Sequence, residues 1–551
     1  MSRALRYTLL LMIAVATAGG AAGQDPNRLR GRGPVHAGVT SQQLLNASAQ
    51  PGNWLTYSGQ YNGQRYSRLD QINTENVDQL RVKWVRQFKI TELFETSPLV
   101  VDGVMFLTLP ENKVWALDAR TGLPFWNSSH RLPKRLAICC GKVNRGLGIL
   151  GETLYMGTLD AKLVAIDSKS GQVRWTAVVG DTKKGHSITG APLIIKDMVL
   201  TGIAGGEYGI RGYVDAYDAK TGQRRWRTHV IPGPGEPGHD TWEGDSWKIG
   251  GASTWMTGSY DPELNLLYWG IGNPGPDWNG EVRKGDNLYS DCVLAIDPDT
   301  GEIKWHFQFT PHDVHDWDAT QIPVLVDKEF QGKLRKLLLL ANRNGFYYVL
   351  DRETGEFLHA TVFAKQTWAK GIDAQGRPIR VPGKFPSKDG VLVYPDVGGA
   401  ANWWSPTYSP KTGLFYQMAF DGAGTYYIGE DPEYVAGQPF LGGLGSSNEY
   451  EDVVDSDYVS AVRALDATTG KRVWQYVVQA KSTSGLISTA GNLVFGGTKG
   501  GNFFALDAAT GKELWRLDIG GKVHAAPVTY TVQGKQYVTI AAGSAIYTFG
   551  L

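Results

Sequence analysis

Seven copies of one short motif recur along this chain of 551 residues and constrain its fold more than any other feature. Each copy joins an apolar pair and an Asp to a Thr-Gly or Ser-Gly turn, and a large ring follows four positions after the Gly. The copies end at Trp126, Trp175, Trp226, Trp305, His359, Trp474 and Trp515. Asp can hydrogen-bond the turn backbone, and Gly adopts conformations that other residues resist. The motif therefore predicts strand, turn and strand, with a ring wedged between neighbouring sheets.

A second hairpin precedes each copy, as in residues 98–107. Four strands per repeat predict the blade of a β-propeller. An eighth blade can be assembled from residues 80–84 together with three C-terminal strands at 526–530, 536–540 and 546–549. The predicted fold class is all-β: an eight-bladed β-propeller with tryptophan-docking repeats, closed by pairing of its N- and C-terminal strands, which removes exposed sheet edges. A seven-bladed ring with a loose terminus is the competing prediction.

The ends and insertions of the chain define its organisation. Residues 1–23 contain Arg3 and Arg6, then an apolar run and small residues, which predicts a cleaved signal peptide; an uncleaved anchor is the alternative. No later segment is apolar enough to span a bilayer. We therefore expect residues 24–551 to form one periplasmic propeller domain, with long insertions at 274–291 and 421–458. The net charge of +1 argues against nucleic-acid binding.

The chain has three cysteines, of which Cys139 and Cys140 are adjacent. Adjacent cysteines can be buried thiols or can pair with distant partners, but only Cys292 remains as such a partner. In a secreted protein, a Cys139–Cys140 disulfide is the simplest arrangement. Cys292 is expected to be a small buried residue in a strand.

Residues 312–318 concentrate His312, Asp313, His315, Asp316 and Asp318. A zinc site is one interpretation, but two histidines on a loop lack a clear third ligand. We expect the histidines to pack around a site instead. On an extended segment, Asp316 and Asp318 would share one face.

The sequence CCGKVNRG, read together with the repeats, resembles the pyrroloquinoline quinone (PQQ) alcohol dehydrogenases, the methanol and ethanol dehydrogenase family. Motifs such as FETSP, ITGAP, GASTW, NRNG and ANWW occur in the family's order along the predicted mature chain. The resemblance implies cofactor contacts at Glu95, Cys139, Cys140, Arg145, Thr189, Ala204, Gly205, Gly206, Ser253, Trp255, Arg343, Asn402 and Trp403. Ala204 replaces a serine of some members, and a tryptophan common in the family is missing near residues 483–485.

The resemblance also implies the catalytic and metal residues. It assigns Asp316 as the catalytic base and Arg343 to the quinone oxygens. It places a metal ion on Glu207, Asn273, Asp316 and Asp318. Members with a second aspartate at the position of Asp318 use a lanthanide, and three carboxylates suit a trivalent ion; Ca²⁺ is the alternative.

The planar, anionic PQQ needs a flat slot and cationic clamps, which Trp255, the disulfide and Arg145 can supply. The predicted reaction oxidises a small primary alcohol to an aldehyde by hydride transfer to PQQ. No C-x-x-C-H haem motif occurs in the sequence, so we expect a separate soluble cytochrome c to accept the electrons. The oligomeric state stays open, a homodimer included. The alternative function is a non-enzymatic propeller scaffold of the outer-membrane assembly type, which would not need Arg145, Glu207, Asn273 or Asp316.

Overall fold

The computed structural model describes residues 36–447, 459–478 and 482–551. The predicted signal peptide and the end of the second predicted insertion, residues 448–458, lie outside this part of the chain. None of the helices in the described ranges is long and apolar enough to cross a bilayer.

The described chain is all-β, as predicted, with one short α-helix. The strands are β1 (Tyr66–Ser67), β2 (Arg81–Gln87), β3 (Leu99–Val101), β4 (Val104–Leu109), β5 (Lys113–Asp118), β6 (Pro124–Ser129), β7 (Gly148–Leu150), β8 (Thr153–Gly157), β9 (Lys162–Asp167), β10 (Val173–Val178), β11 (Leu193–Ile195), β12 (Met198–Gly202), β13 (Tyr213–Asp218), β14 (Arg224–His229), β15 (Ser259–Asp261), β16 (Leu266–Gly270), β17 (Cys292–Ile296), β18 (Ile303–Gln308), β19 (Val324–Phe330), β20 (Lys333–Ala341), β21 (Phe346–Asp351), β22 (Phe357–Val362), β23 (Ala369–Ile372), β24 (Pro378–Arg380), β25 (Val391–Val393), β26 (Thr407–Ser409), β27 (Leu414–Asp421), β28 (Gly424–Ile428), β29 (Gly443–Gly445), β30 (Val459–Asp466), β31 (Arg472–Val478), β32 (Ile487–Thr489), β33 (Leu493–Gly497), β34 (Asn502–Asp507), β35 (Glu513–Asp518), β36 (Val528–Val532), β37 (Lys535–Ala542) and β38 (Ala545–Gly550). The helical segments are α1 (Ser41–Leu45) and the 3-10 turns Ala47–Ala49, Val77–Gln79, Thr182–Lys184, Gly206–Tyr208, His239–Thr241, Ser246–Ile249 and Gly280–Val282.

Within the described residues, eight sheets contain four or more strands. Six of them follow the pattern of the repeat, for example β3-β4-β5-β6 and β7-β8-β9-β10, and the sheet β32-β33-β34-β35 is extended by β1. The eighth sheet has the order β2-β38-β37-β36, so a strand near the start of the chain pairs with the last strand. Arg81 lies opposite Gly550 and Gln87 opposite Ala545 in this antiparallel pair. The predicted four-stranded repeat unit is confirmed.

Burial follows the position of a strand in its sheet. Every residue of β8 is buried, whereas the outermost strand of the same sheet, β10, alternates between exposed and half-buried residues. Inner strands pack on both faces against neighbouring sheets and therefore consist of apolar runs.

The repeat motif forms the turn that the sequence predicts. Asp118 accepts hydrogen bonds from the backbone N–H groups of Arg120 and Thr121 through Oδ1, at 2.8 and 3.0 Å. Gly122 completes the turn at a φ of +72°, in the left-handed region. The Asp therefore satisfies the turn backbone and the Gly permits the reversal.

The repeat tryptophans join neighbouring sheets. Trp126 donates from Nε1 to the carbonyl oxygen of Ser168 in the next repeat, at 2.9 Å. Its ring covers Gly171, where a Cβ atom would lie 2.6 Å from the indole. His359, which replaces tryptophan in one copy, makes the corresponding contact from Nε2 to the carbonyl oxygen of Thr469 at 2.9 Å. The predicted wedging of the ring between sheets is therefore present.

The hydrogen bonds of Arg65, which connect separate sheets, were not predicted. The fully buried Arg65 donates to the carbonyl oxygens of Tyr57, Leu486 and Pro527 at 2.6, 3.2 and 2.6 Å. These acceptors are far apart in sequence, so one side chain links the N-terminal segment to two C-terminal repeats.

The insertions are more extensive than expected. The predicted insertion at 274–291 connects β16 to β17, and the described part of the second forms β28 and β29. A third insertion, between β22 and β26, was missed. It contains the hairpin β23–β24 and also β25, which pairs with β28 in a separate three-stranded sheet.

Candidate active site

A cavity of about 300 Å³ collects most of the predicted cofactor residues. It is lined by Leu93, Glu95, Cys139, Cys140, Val143, Arg145, Ser187, Thr189, Ala204, Gly205, Glu207, Ser253, Trp255, Asp316, Asp318, Arg343, Asn402 and Trp403. Leu93, Val143 and Ser187 were not predicted, although each lies within two residues of one that was. Gly206 and Asn273 were predicted but do not line the cavity.

The predicted disulfide is present between Cys139 and Cys140, in the loop that joins β6 to β7. Trp255 comes from the loop between β14 and β15, and both elements line the cavity. Cys292 is a free thiol, fully buried at the start of β17, as expected.

Arg145 is one of two arginines that line the cavity. Its guanidinium carbon lies 4.9 Å from the ring centroid of Trp255 and 4.8 Å from that of Trp403. Nη2 lies 2.8 Å from Oε2 of Glu95, and both side chains are almost fully buried. Burial raises the pKa of Glu95, and the charge of Arg145 opposes this shift. The buried Nε of Arg145 has no hydrogen-bond partner among the described residues.

Asp316 and Asp318 meet the same guanidinium. Arg343 lies 2.7 Å from Oδ2 of Asp318 through Nη1, and 3.5 Å from Oδ2 of Asp316 through Nη2. Trp255 donates from Nε1 to Asp318 at 3.2 Å. Burial raises the pKa of both carboxyls, and the charge of Arg343 opposes the shift in each.

The expectation of an extended segment at these two residues was wrong. Asp316 has a φ of +61°, so the chain bends there. The two carboxylates converge because they bind one guanidinium, and not because of strand alternation.

Glu207 lies in the 3-10 turn Gly206–Tyr208 and faces the disulfide. Its carboxylate and the sulfur atoms of Cys139 and Cys140 lie within 4.8 Å of one another, the one such group of potential metal ligands in the described chain. Disulfide sulfurs lack the thiolate charge that binds metals. The group therefore shows that Glu207 lies close to the disulfide, and it is not a metal site. Burial raises the pKa of Glu207 to about 7.

Gly205, two residues before Glu207, lies at a position that only glycine can occupy. It has a φ of +122°, and a Cβ atom there would lie 2.3 Å from the carbonyl oxygen of Gly185. The turn that presents Glu207 to the cavity therefore requires glycine.

Asn273 lies beside the cavity. Its backbone N–H donates to Oδ1 of Asp318 at 3.0 Å. Its side-chain Nδ2 donates to Oδ1 of Asp277 at 3.0 Å. Asp277 was missed by the sequence analysis, although it is a carboxylate in the same loop, four residues from a predicted ligand.

The histidines of residues 312–318 are engaged elsewhere. A ring nitrogen of His312 lies 2.8 Å from the carbonyl oxygen of Gly285, and one of His315 lies 2.8 Å from that of Lys384. His315 also stacks on Trp317, with ring centroids 4.3 Å apart. The potential metal-ligand group of the described chain contains no histidine, so these contacts favour packing over zinc binding.

The cavity fits an anionic, planar cofactor and a hard cation. The buried Nε atoms of Arg145 and Arg343 find no acceptor among the described residues. Buried donors of this kind are normally satisfied, which points to acceptors supplied by a ligand. The carboxylates of Glu207, Asp316 and Asp318 are the oxygen donors that hard cations prefer.

Comparisons with known proteins agree with this geometry. Residues 54–366 match the family model for the PQQ glucose/ethanol/alcohol dehydrogenase β-propeller domain. Residues 459–549 match the model for the outer membrane protein assembly factor BamB. The chain is 40% identical to the quinoprotein alcohol dehydrogenase PedH of Pseudomonas putida, over 93% of this chain and 89% of PedH. It is 38% identical to the lanthanide-dependent methanol dehydrogenase of Methylacidiphilum fumariolicum, over 93% and 88% of the two chains.

Solved structures show the same relationship. A europium-containing methanol dehydrogenase has a TM-score of 0.87 at 35% identity, covering 93% of this chain and 100% of its own. The quinohemoprotein alcohol dehydrogenase from Comamonas testosteroni has a TM-score of 0.86 at 34% identity, covering 93% and 84%. Fold and cavity together define a quinoprotein of the β-propeller class.

The chain belongs to the PQQ-dependent alcohol dehydrogenase family. It is therefore an enzyme, and the scaffold alternative is set aside.

Proposed function

We propose that residues 24–551 form one closed eight-bladed propeller in the periplasm after cleavage of residues 1–23. The eight sheets, the pairing of β2 with β38 and the tryptophan contacts between repeats support a closed ring. The secretory pattern of the first 23 residues supports export.

The chain oxidises a small primary alcohol to an aldehyde. The observation that carries this proposal is the cavity itself, which is lined by two buried arginines, four carboxylates, Trp255 and a disulfide. Bound PQQ would supply the hydride acceptor that this oxidation needs.

The chain's own residues hold and orient the cofactor. Trp255 and the Cys139–Cys140 disulfide would bound its two faces, and Arg145 would bind a carboxylate of its rim. Thr189, Ser253 and Asn402 line the same cavity and supply further polar groups.

Asp316 is the general base and Arg343 its partner. A quarter of the Asp316 side chain is exposed, so an alcohol hydroxyl can reach the carboxylate and transfer its proton there. Arg343 stabilises negative charge that develops near the reacting oxygen.

Glu207, Asn273, Asp316 and Asp318 would hold one metal ion, which would supply Lewis-acid assistance. Three carboxylates favour a light lanthanide, with Ca²⁺ as the alternative. Similarity to a lanthanide-dependent methanol dehydrogenase and a europium-containing structure supports this choice. A separate soluble cytochrome c would accept the electrons.

The test is reconstitution of the full chain with PQQ and either La³⁺ or Ca²⁺, assayed with a series of alcohols and an artificial electron-accepting dye. We expect quenching of tryptophan fluorescence and metal-dependent oxidation of primary alcohols. Trp255→Phe should remove much of the quenching, whereas Trp247→Phe, a control at Arg211 outside the cavity, should not. Absence of both quenching and oxidation with every metal would overturn the proposal.

A further inference from the structure

We infer that Asp277 is a positioning residue: its carboxylate holds the amide of Asn273 so that the side-chain oxygen of Asn273 faces the metal. The inference rests on the proposed metal site. It adds a residue that acts through Asn273 and does not itself line the cavity.

The hydrogen bond decides which end of the amide is free. An asparagine amide has a donor end, Nδ2, and an acceptor end, Oδ1. Nδ2 of Asn273 donates to Oδ1 of Asp277 at 3.0 Å. With its donor end bound to a carboxylate, Asn273 keeps Oδ1 available, and oxygen is the atom that a hard cation requires.

Burial makes this contact persistent. Asp277 is 2% exposed and Asn273 6% exposed, so water competes little for either group. The backbone N–H of Asn273 also donates to Oδ1 of Asp318. Asn273 is therefore held at its backbone by one carboxylate of the site and at its side chain by Asp277.

The loop that carries Asp277 is fixed on both sides of this residue. The fully buried Arg283 donates to the carbonyl oxygen of Pro276 from Nε and Nη2, at 3.2 and 3.0 Å. The backbone N–H of Trp278 donates to the carbonyl oxygen of Leu441 at 3.0 Å. A carboxylate anchored in this way can orient a metal ligand before the metal binds.

Phe440, which precedes Leu441 in the insertion at 421–458, contacts the loop of Glu207. The backbone N–H of Phe440 donates to the carbonyl oxygen of Glu207 at 2.7 Å. Consecutive residues, Phe440 and Leu441, thus connect the loop of Glu207 to the loop of Asp277. Both loops therefore keep a defined spacing around the metal position.

The test is a double-mutant cycle on metal affinity in the full chain. Binding of Tb³⁺ would be followed by its luminescence on tryptophan excitation, in wild type, Asp277→Ala, Asn273→Ala and the double variant. We expect Asp277→Ala to weaken Tb³⁺ binding by about 10- to 100-fold, the usual effect of removing a partner of a metal ligand. In the Asn273→Ala background the same change should have less than about a threefold effect, because the residue through which it acts is gone.

Asp277→Asn distinguishes hydrogen bonding from charge. Its side-chain oxygen can still accept from Nδ2 of Asn273, so it should retain Tb³⁺ affinity to within about threefold. If the melting temperature shows that Asp277→Ala does not fold, the comparison of Asp277→Asn with the wild type still tests the inference.

Two results would overturn the positioning role in a chain that binds Tb³⁺. One is an equal loss from Asp277→Ala with and without Asn273. The other is a loss from Asp277→Asn as large as that from Asp277→Ala, which would make Asp277 a direct charge partner of the metal. Failure of the wild type to bind Tb³⁺ would instead overturn the proposed metal site, and this inference with it.

Discussion

Arg343 lies 2.7 Å from Oδ2 of Asp318 through Nη1, and less than a tenth of either side chain is exposed. Removing one partner of such a pair leaves an uncompensated buried charge, which costs about 3–5 kcal/mol. The same guanidinium reaches Asp316 through Nη2. Arg343 therefore holds Asp316, the proposed base, close to Asp318, the second aspartate of the proposed metal site.

Asp316→Asn should retain PQQ and lose turnover by about 10²–10⁴-fold, because general-base catalysis contributes a factor of this size. Steady-state rates and the PQQ content of the purified variant would be measured together. Asp286→Asn, at an exposed ion pair with Arg377 outside the cavity, is the control. Near-normal turnover in Asp316→Asn would remove this residue from the mechanism.

Asp318→Ala should abolish the advantage of a lanthanide over Ca²⁺. Loss of one of three carboxylates lowers the charge that favours a trivalent ion, and we expect La³⁺ affinity to fall by at least about tenfold. The PQQ-loaded, metal-free chain would be titrated with La³⁺ and separately with Ca²⁺. Full activity with Ca²⁺ alone, unchanged by Asp318→Ala, would contradict the lanthanide assignment.

Replacing both Cys139 and Cys140 with alanine should impair PQQ binding more than folding. A disulfide between adjacent residues closes almost no loop, so it removes little entropy from the unfolded chain. Melting temperature and PQQ occupancy would be compared in the double variant. Cys292→Ser is the matched control: it places a hydroxyl in the fully buried start of β17 and should lower stability without lowering PQQ occupancy. A large loss of stability at full occupancy in the double alanine variant would argue for a structural disulfide.

In the PQQ-free and metal-free chain, the contribution of Glu207 to stability should fall as the pH rises from about 5 to 8. Burial raises the pKa of Glu207 from an ordinary value of 4.5 to about 7, so this carboxyl is protonated more in the folded state than in the unfolded state over this range. At about 1.4 kcal/mol per pKa unit, one such group accounts for about 3 kcal/mol. Urea unfolding at several pH values would measure the slope. Relative to Glu207→Gln, the wild type should lose more stability as the pH rises, and equal slopes in the two proteins would contradict the assignment to Glu207.

Gly222→Ala should destabilise the propeller more than Gly534→Ala. Both glycines have a φ near +70°, so each substitution costs about 1 kcal/mol in backbone strain. A Cβ atom at Gly222 would also lie 2.6 Å from the ring of Trp175, whereas one at Gly534 meets nothing within 4 Å. We expect overpacking to add about 1–3 kcal/mol at Gly222, measured by chemical denaturation. Equal losses would show that the contact between sheets contributes little.

The repeat unit could be predicted from sequence because its signals are local. The turn of Asp118 and Gly122 satisfies its own backbone within five residues, and the tryptophan four residues later is placed by the same turn. The cofactor residues could be predicted from motif order along the chain, and most of them do line one cavity.

Tertiary structure decided what depends on partners far apart in the chain. Arg65 binds carbonyl oxygens more than 400 residues away, and β25 pairs with β28 although the repeat strands β26 and β27 lie between them in the chain. Asp277 is near Asn273 in sequence, but its loop is held by hydrogen bonds of Pro276 to Arg283 and of Trp278 to Leu441, which are distant in sequence or unmarked by any motif. Sequence alone determined the strands and turns of the repeats and most of the residues that line the site. Which side chains share a hydrogen bond was decided only by packing, because the direction of a buried polar group depends on every neighbour that excludes water from it.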